Sequence, residues 1–433
     1  MIYTRRPTIS LFIVVILIST ILAACSIPDS ADSVSVLGSW TLTDVEQQNF
    51  EKVLHQFEQD TGVRVNYQGT RALDEELASE VQNGTTPDVA IQSSIGDLRQ
   101  YLNENKLYRL NDVIEKPEQD VYIKQWPDVQ KLGTDSLYGV VIKANLKSII
   151  WYDPKQRSEP AVQTWDQLVA RGETIAKAGG RPWCMGMGST PISGWPGTDW
   201  IEDILLHQFG TDIYQQWTSG KLPWTSQQVK KAWQEWGTIT AITGSGSTLL
   251  TDWADAGRPM FTNPPGCYLD HDSSFITASY QNYESEKLKP GADFDFFSFP
   301  AGVAGRTFEV SADMAVMLHD TPQARKLIKY LATTKAQTIW PHIGGGAFSV
   351  NKEVNQNVYP DSISKKISGD LTNANALCFD ASDLMPPTMR DAFYSAVLEY
   401  LSDPNQLDQL LDKLDKVREG IVPAEWLNLP CGH

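Results

Sequence analysis

Val34-Ser35-Val36-Leu37-Gly38, then Phe50-Glu51-Lys52-Val53-Leu54-His55-Gln56-Phe57, then Val63-Arg64-Val65-Asn66-Tyr67 form the stretch whose reading decides the fold. The first segment is a short apolar strand. In the second, Phe50, Val53, Leu54 and Phe57 recur at i, i+3, i+4 and i+7, which places them on one face of a helix. Thr43 and Glu46 have the spacing of a capping box ahead of it, and Thr61-Gly62 is a stop signal behind it. Val63 to Tyr67 alternates as a second strand. A further helix is expected around Leu73 to Val81, and Pro87-Asp88 leads into a third strand, Val89 to Gln92. Repeated β-α-β units predict an α/β fold with a mainly parallel sheet covered by helices. Ligands of such sheets lie beyond the carboxyl ends of the strands, here Ser39-Trp40, Gln68-Gly69-Thr70 and Ser93-Ser94.

The character of the chain changes near residue 145. Ten of the 14 tryptophans fall between Trp151 and Trp253, which points to a second lobe. Helices are expected at Trp165 to Ala178, Trp200 to Phe209 and Ser226 to Ile242, separated by turns rich in glycine and proline. Asp293 to Phe299 alternates as a half-buried strand. Ala312 to Leu318 reads as a strand and Gln323 to Leu331 as a helix. At 433 residues the chain exceeds what one hydrophobic core usually supports, so two lobes are the default expectation.

The N-terminus reads as an export signal. Arg5 and Arg6 precede an apolar run from Ile9 to Leu22, interrupted only by Ser10, Ser19 and Thr20. That run is shorter than the ~20 residues that span a bilayer. Leu22-Ala23-Ala24-Cys25 resembles the lipobox of bacterial lipoproteins, in which the cysteine is acylated and becomes the first mature residue. Residues 1–24 are thus expected to be a signal peptide, Cys25 the lipidation site and 25–33 a tether, with the rest of the chain working outside the cytoplasmic membrane.

A net charge of −17 argues against nucleic acid or anionic lipid headgroups as partners. The remaining cysteines, Cys184, Cys267, Cys378 and Cys431, are an even number in an oxidising compartment. They allow three pairings, of which Cys184–Cys267 with Cys378–Cys431 is favoured. The histidines are scattered and no C-x-x-C or H-x-x-x-H spacing occurs, so neither metal nor cofactor is expected.

Several motifs, taken in order, resemble the extracellular solute-binding family that serves ATP-driven importers and includes the maltose-binding proteins. They are Gly84-Thr85-Thr86-Pro87-Asp88-Val89, Tyr138-Gly139-Val140 followed by Ile150-Trp151-Tyr152-Asp153, Thr164-Trp165-Asp166-Gln167-Leu168, and Gly344-Gly345-Gly346-Ala347-Phe348-Ser349. Three more segments resemble the α-glucoside-binding branch: Gly194-Trp195-Pro196-Gly197-Thr198-Asp199-Trp200, Pro264-Pro265-Gly266-Cys267-Tyr268 and Phe379-Asp380-Ala381-Ser382-Asp383-Leu384-Met385-Pro386. The chain departs from that branch at Glu309-Val310-Ser311-Ala312-Asp313, where a glycine-rich triplet is usual before the aspartate.

The resemblance implies a type II periplasmic-binding-protein fold, two α/β lobes around a ligand cleft with a multi-strand hinge. Lobe one would be 34–143 plus 308–350, and lobe two 147–303 plus 354–433. It implies a monomeric receptor that captures a di- or oligosaccharide and docks on an ABC-transporter permease.

A sugar needs aromatic platforms for its C–H face and fixed polar groups for its hydroxyls. Trp195 and Trp40 are the preferred platforms, with Tyr268 a third aromatic candidate. Asp199, Asp313 and Asp383 are the candidate carboxylates, Lys143 a cationic donor, Thr70 and Ser93 hydroxyl contacts, and Gly345 a backbone contact. Each has a plainer alternative: Trp195 as core or hinge, Trp40 as a plug, Asp199 as the N-cap of a helix at Trp200, Asp383 as a turn cap, Lys143 as a hinge salt bridge. Trp165, Trp217, Trp233 and Trp236 read as core. The rival function is a secreted glycoside hydrolase, which also needs paired carboxylates. A sugar receptor for a sensor protein would have the same sequence features as one for a permease.

Overall fold

A computed structural model describes residues 32–42, 44–156, 162–244, 247–283 and 287–432. Cys25, the expected leader and Thr43 of the expected capping box lie outside them. Ten strands occur among these residues: β1 Ser33–Gly38, β2 Arg64–Gly69, β3 Val89–Gln92, β4 Gly139–Leu146, β5 Ile149–Tyr152, β6 Trp183–Cys184, β7 Leu269–His271, β8 Asp295–Ser298, β9 Thr307–Met317 and β10 Ala376–Phe379.

They form two sheets. The larger runs β10-β9-β3-β1-β2 with β4 also on β9, and the smaller runs β6-β7-β5-β8. β1 pairs β2 and β3 in parallel, as the β-α-β pattern predicts. The sheet as a whole is mixed, however, because β9 runs antiparallel to both β3 and β4. β9 is an 11-residue strand, and it is buried along its whole length. Its first residues, Thr307 to Val310, pair in parallel with β10, and its later residues pair with β3 and β4. One strand therefore bridges elements that lie far apart in sequence.

The helix after β1 spans Val45–Thr61 and buries Phe50, Val53, Leu54 and Phe57, the four residues of the predicted stripe. It ends at Gly62 in the left-handed conformation (φ 72°), where a side chain would be strained. Asp44 occupies the N-cap position, and the expected partner Glu46 is engaged elsewhere, with Lys143.

Buried apolar residues form two clusters, each drawing on strands of both sheets. The first takes in Val34, Val36, Leu37, Trp40, Phe50, Phe57, Leu77, Ile91, Ile95 and Leu98. The second is built on tryptophans, with Trp183, Trp200, Trp217, Trp224, Trp233 and Trp236 joined by Phe393 and Tyr400. Several of its rings meet edge to face, as Trp183–Trp200 at 4.7 Å and Trp217–Trp224 at 5.0 Å show, an arrangement that aromatic quadrupoles favour, while Trp236 and Tyr400 stack. The tryptophan density of the sequence is thus mainly core. Both favoured disulfides are present, Cys184–Cys267 and Cys378–Cys431. The first ties β6 to the residues entering β7, and the second ties β10 to the C-terminal tail.

Candidate functional site

The β4–β9 ladder supplies the floor of a cleft. Side chains alternate along a strand, so Lys143 and Asn145 of β4 share a face, and Lys147, just past its end, continues the series. Across the ladder Lys143 stands opposite Asp313 and Asn145 opposite Ser311. All five line one cleft, together with Trp40, Glu46, Arg71, Asp74, Gln92, Ser93, Trp195, Asp199, Trp253, Phe275, Asp380, Asp383 and Tyr394. The cavity between them is about 160 Å³.

Two buried lysines organise the polar side of this cleft. The Lys143 ammonium bonds Glu46 and lies 3.4 Å from Asp313 Oδ2. Burial pulls its pKa down, but the two carboxylates more than offset this and hold it above its ordinary value. The Lys147 ammonium bonds Asp380 and lies 2.9 Å from Asp199 Oδ1. Burial likewise works against its charge, and Asp199 and Asp380 raise it well above the usual lysine range. Asp199 is pushed up to about 6, by burial foremost, with Lys147 opposing. Burial and the neighbouring Asp380 push Asp383 up as well. No hydrogen bond to the Asp383 carboxylate occurs among the described residues.

Asp199, Glu202 and Asp380 bring carboxylate oxygens within 4.8 Å of one another. Each already has donors: Lys147 serves Asp199 and Asp380, and the Ala381 N–H donates to Glu202 at 2.6 Å. Lys147 serves two of the three carboxylates, and burial, then Asp380, pushes Glu202 well above the ordinary carboxylate range, so each acid has a donor or its proton without a metal.

The apolar side is aromatic. Trp195, Trp253 and Phe275 form a trio with centroids 5.3 to 5.9 Å apart. Trp40, just after β1 of the larger sheet, also lines the cleft, 5.0 Å from Trp340 and 5.3 Å from Phe50. The Lys143 ammonium lies 5.4 Å from the Trp40 ring and 5.7 Å from Phe275, and Lys147 lies 5.8 Å from Trp195. Trp40 is held by its backbone: its carbonyl accepts from the Tyr67 hydroxyl at 3.0 Å, and a Cβ on Gly69 would lie 1.8 Å from that oxygen. Only glycine permits this approach.

Seven of the ten residues singled out from sequence meet in this cleft: Trp40, Ser93, Lys143, Trp195, Asp199, Asp313 and Asp383. Asp199 is not an N-cap, because the helix starts at Trp195 and runs to Phe209. Pro196 in its first turn and Gly194 at φ 111° mark that start, so the glycine- and proline-rich segment is a helix entry and not the expected loop. Asp380, not Asp383, caps the short helix that follows, by accepting from the Asp383 N–H at 2.8 Å. Lys143 does form an ion pair, and does so within the cleft.

Three expected residues lie off the cleft lining. The Thr70 hydroxyl accepts from the Ala72 N–H at 3.2 Å in a local turn, and Arg71 reaches the cleft in its place. Tyr268 packs on the tryptophan core, where a Cβ on Gly180 would lie 2.9 Å from its ring. Gly345, at φ 76°, lies beside Asn49. The next glycine, Gly346, backs onto Phe275, where a Cβ would meet Phe275 Cα at 2.8 Å.

Glu46, Lys147, Trp253, Phe275 and Tyr394 were not anticipated. Lys143-Ala144-Asn145-Leu146-Lys147 carried a signal for Lys147, since polar residues at every second position of an otherwise apolar strand mark one polar face.

Comparison with known proteins agrees with this architecture. The bacterial extracellular solute-binding protein family matches residues 52–369. The osmoprotective compounds-binding protein GgtB of Synechocystis sp. is 29% identical over 399 residues, 88% of this chain and 92% of that protein. The alpha-glucosides-binding periplasmic protein AglE of Rhizobium meliloti is 30% identical over 396 residues, 87% of this chain and 85% of that one. Among solved structures, the bacterial solute receptor AcbH has a TM-score of 0.76 at 17% identity, covering 90% of this chain and 97% of its own. A chitin oligosaccharide binding protein has a TM-score of 0.76 at 18% identity, covering 90% and 99%. The two-lobed α/β fold is shared with these structures, and the relatives are binding proteins, not enzymes. With the family matched over most of its length, this chain belongs to the bacterial extracellular solute-binding proteins.

Proposed function

We propose that this protein is the capture subunit of a sugar importer, anchored outside the membrane by lipid on Cys25. It binds a di- or oligosaccharide of the α-glucoside class and delivers it to an ABC-transporter permease. One observation carries the reading: an aromatic trio and Trp40 line one cleft whose two buried lysines are already paired. Lys143 and Lys147 are neutralised by Glu46, Asp313, Asp199 and Asp380. An anionic ligand would have to break those pairs, whereas a neutral polyol exploits them as fixed donors and acceptors. Trp195, Trp253 and Phe275 offer the C–H face of a sugar its platform. AglE, 30% identical, is an alpha-glucosides-binding protein, which agrees with an α-glucoside ligand.

The lobes we assign are 34–143 plus 308–350 and 147–303 plus 354–433. The ends of β4 at Leu146 and β5 at Ile149 support the first crossing. The pairing of β10 with the start of β9 means that the larger sheet extends past the second crossing. Contacts made by ligand to both lobes favour the closed arrangement and shift the population towards it. The protein acts as a monomer. No helix among the described residues is long and apolar enough to cross a membrane. Lipid attachment at Cys25 rests on the lipobox resemblance of Leu22-Ala23-Ala24-Cys25.

Tryptophan fluorescence titration of the purified protein with maltose, trehalose, sucrose and longer α-glucans tests the reading. Saturable binding of at least one supports it, and no response to any sugar rejects it. Release of free glucose from the same mixtures would instead support the hydrolase alternative.

A further inference from the structure

A charged contact crosses from one core to the other at the edge of the cleft. Arg390 lies on the helix Pro387–Ser402, whose Met389, Phe393, Ala396 and Val397 belong to the tryptophan core. Its Nη1 lies 2.6 Å from Asp97 Oδ2 and 3.2 Å from Asp74 Oδ2. Asp97 is on the helix Ile95–Asn103 and Asp74 on the helix Leu73–Asn83; both helices pack on the first core, through Ile95 and Leu98 and through Leu73, Leu77 and Val81. Both acids sit in the first turns of their helices, where the helix dipole favours a negative charge. Arg390 and Asp97 are each only 4% exposed.

The backbones meet at the same place. A Cβ on Gly96 would lie 1.9 Å from the Met385 carbonyl oxygen, so the helix carrying Asp97 rests directly on the segment that leads to Arg390. Asp74 also faces inward. It lines the cleft and accepts from Gln92 Nε2 at 2.8 Å, and Gln92 lines the cleft too. A continuous chain therefore runs from the cleft wall through Gln92 and Asp74 to Arg390 and Asp97.

We propose that Arg390, with Asp97 and Asp74, is a latch that sets the balance between open and closed cleft, a positioning role separate from direct ligand contact. It rests on the capture-and-closure reading given above. In an open form the two sides separate and all three groups are hydrated. On closing they exchange water for one another, and a buried guanidinium between two carboxylates holds the lobes together. The two contacts that cross between the cores converge on Nη1, while Nε bonds the neighbouring Asp391 at 3.0 Å on its own helix, so a point charge suffices for the crossing contact. The latch slows ligand release, and whatever share of the sugar-free protein it holds closed is withheld from capture.

Small-angle scattering of the sugar-free protein, with sugar release followed by stopped-flow fluorescence, tests this on R390Q, D97N and R390K. R390Q and D97N are expected to show a larger radius of gyration than the wild type, at least tenfold faster release, and an association rate no slower than that of the wild type. R390K, which keeps the charge, is expected to stay close to the wild type in both. Wild-type scattering and wild-type release in R390Q, or in D97N should R390Q fail to fold, overturn the proposal. If the wild type binds none of the sugars, the receptor reading falls, while scattering of the same variants still decides whether the latch operates.

Discussion

Replacing Lys147 by Met keeps the length of the side chain and removes the cation between Asp199 and Asp380. At 2.9 Å from Asp199 Oδ1, the attraction to that carboxylate alone is about 6 kcal/mol at an effective dielectric of about 20. Part of this offsets the cost of taking the ammonium out of water, and removing one partner of a buried pair typically costs about 3–5 kcal/mol. K147M is expected to lose stability in that range at pH 8. It leaves Asp199, Glu202 and Asp380 with their oxygens within 4.8 Å and no cation among them, so the native state must take up a proton to relieve them. Asp199 is already pushed up to about 6 by burial, with Lys147 present to oppose it, and it rises further once Lys147 is gone. A carboxyl whose native pKa is raised binds more protons in the native than in the unfolded state. Stability is then lost as pH rises, by up to about 1.4 kcal/mol per pH unit for each proton. The deficit of K147M should therefore shrink between pH 8 and pH 5, and the double variant K147M/D380N should recover much of it. Urea unfolding at both pH values, followed by tryptophan fluorescence and far-UV circular dichroism together because two cores need not unfold at once, measures it. A deficit below about 1 kcal/mol, or one independent of pH, would refute the view of Lys147 as the neutralising centre.

Two further outcomes are expected. Trp195→Ala and Trp253→Ala should each weaken sugar binding by about 1–3 kcal/mol, the value of a buried aromatic face, with little change in melting temperature; isothermal titration measures both, and unchanged affinity removes that ring from the site. The melting temperature of the wild type should fall as pH rises from about 5 to 8. Glu309 is wholly buried with both carboxylate oxygens unpartnered, and its pKa is raised well above the ordinary value by burial, then by Glu202, Asp203 and Asp380. Asp203 acts in the opposite sense. His207 and His271 overcome its burial and hold it down at about 2, so its contribution is present above pH ~4 and is lost only in stronger acid. Glu309→Gln should flatten the decline between pH 5 and 8, and a calorimetric pH series that shows no flattening would contradict the assignment.

The first β-α-β unit was legible because each of its signals is local. The stripe of Phe50, Val53, Leu54 and Phe57 repeats at the helical period, Gly62 stops the helix, and Val89 to Gln92 is the strand predicted. The antiparallel course of β9 was not legible, since its partners β3 and β4 lie more than 150 residues away and strand direction leaves no mark on composition. In the cleft, Trp195 and Asp199 were found by residue type, but their local structure was misread: Pro196 starts a helix there as readily as it breaks a loop. Trp253 and Phe275 have no periodic signature and reach the cleft only through tertiary packing with Trp195. Tyr268 failed for the converse reason. An aromatic expected on a cleft-facing position packs on the tryptophan core, and nothing in Pro264-Pro265-Gly266-Cys267-Tyr268 distinguishes the two faces.

The central claim, that two lobes close on a neutral sugar without changing it, is tested most directly by isothermal titration calorimetry with maltose, trehalose, sucrose and longer α-glucans, followed by chromatographic analysis of the recovered sugar. The account predicts saturable one-to-one binding of at least one α-glucoside, with a negative heat-capacity change from apolar burial and the sugar recovered intact. Heat from none of them, or recovery of cleaved sugar at catalytic turnover, would contradict it.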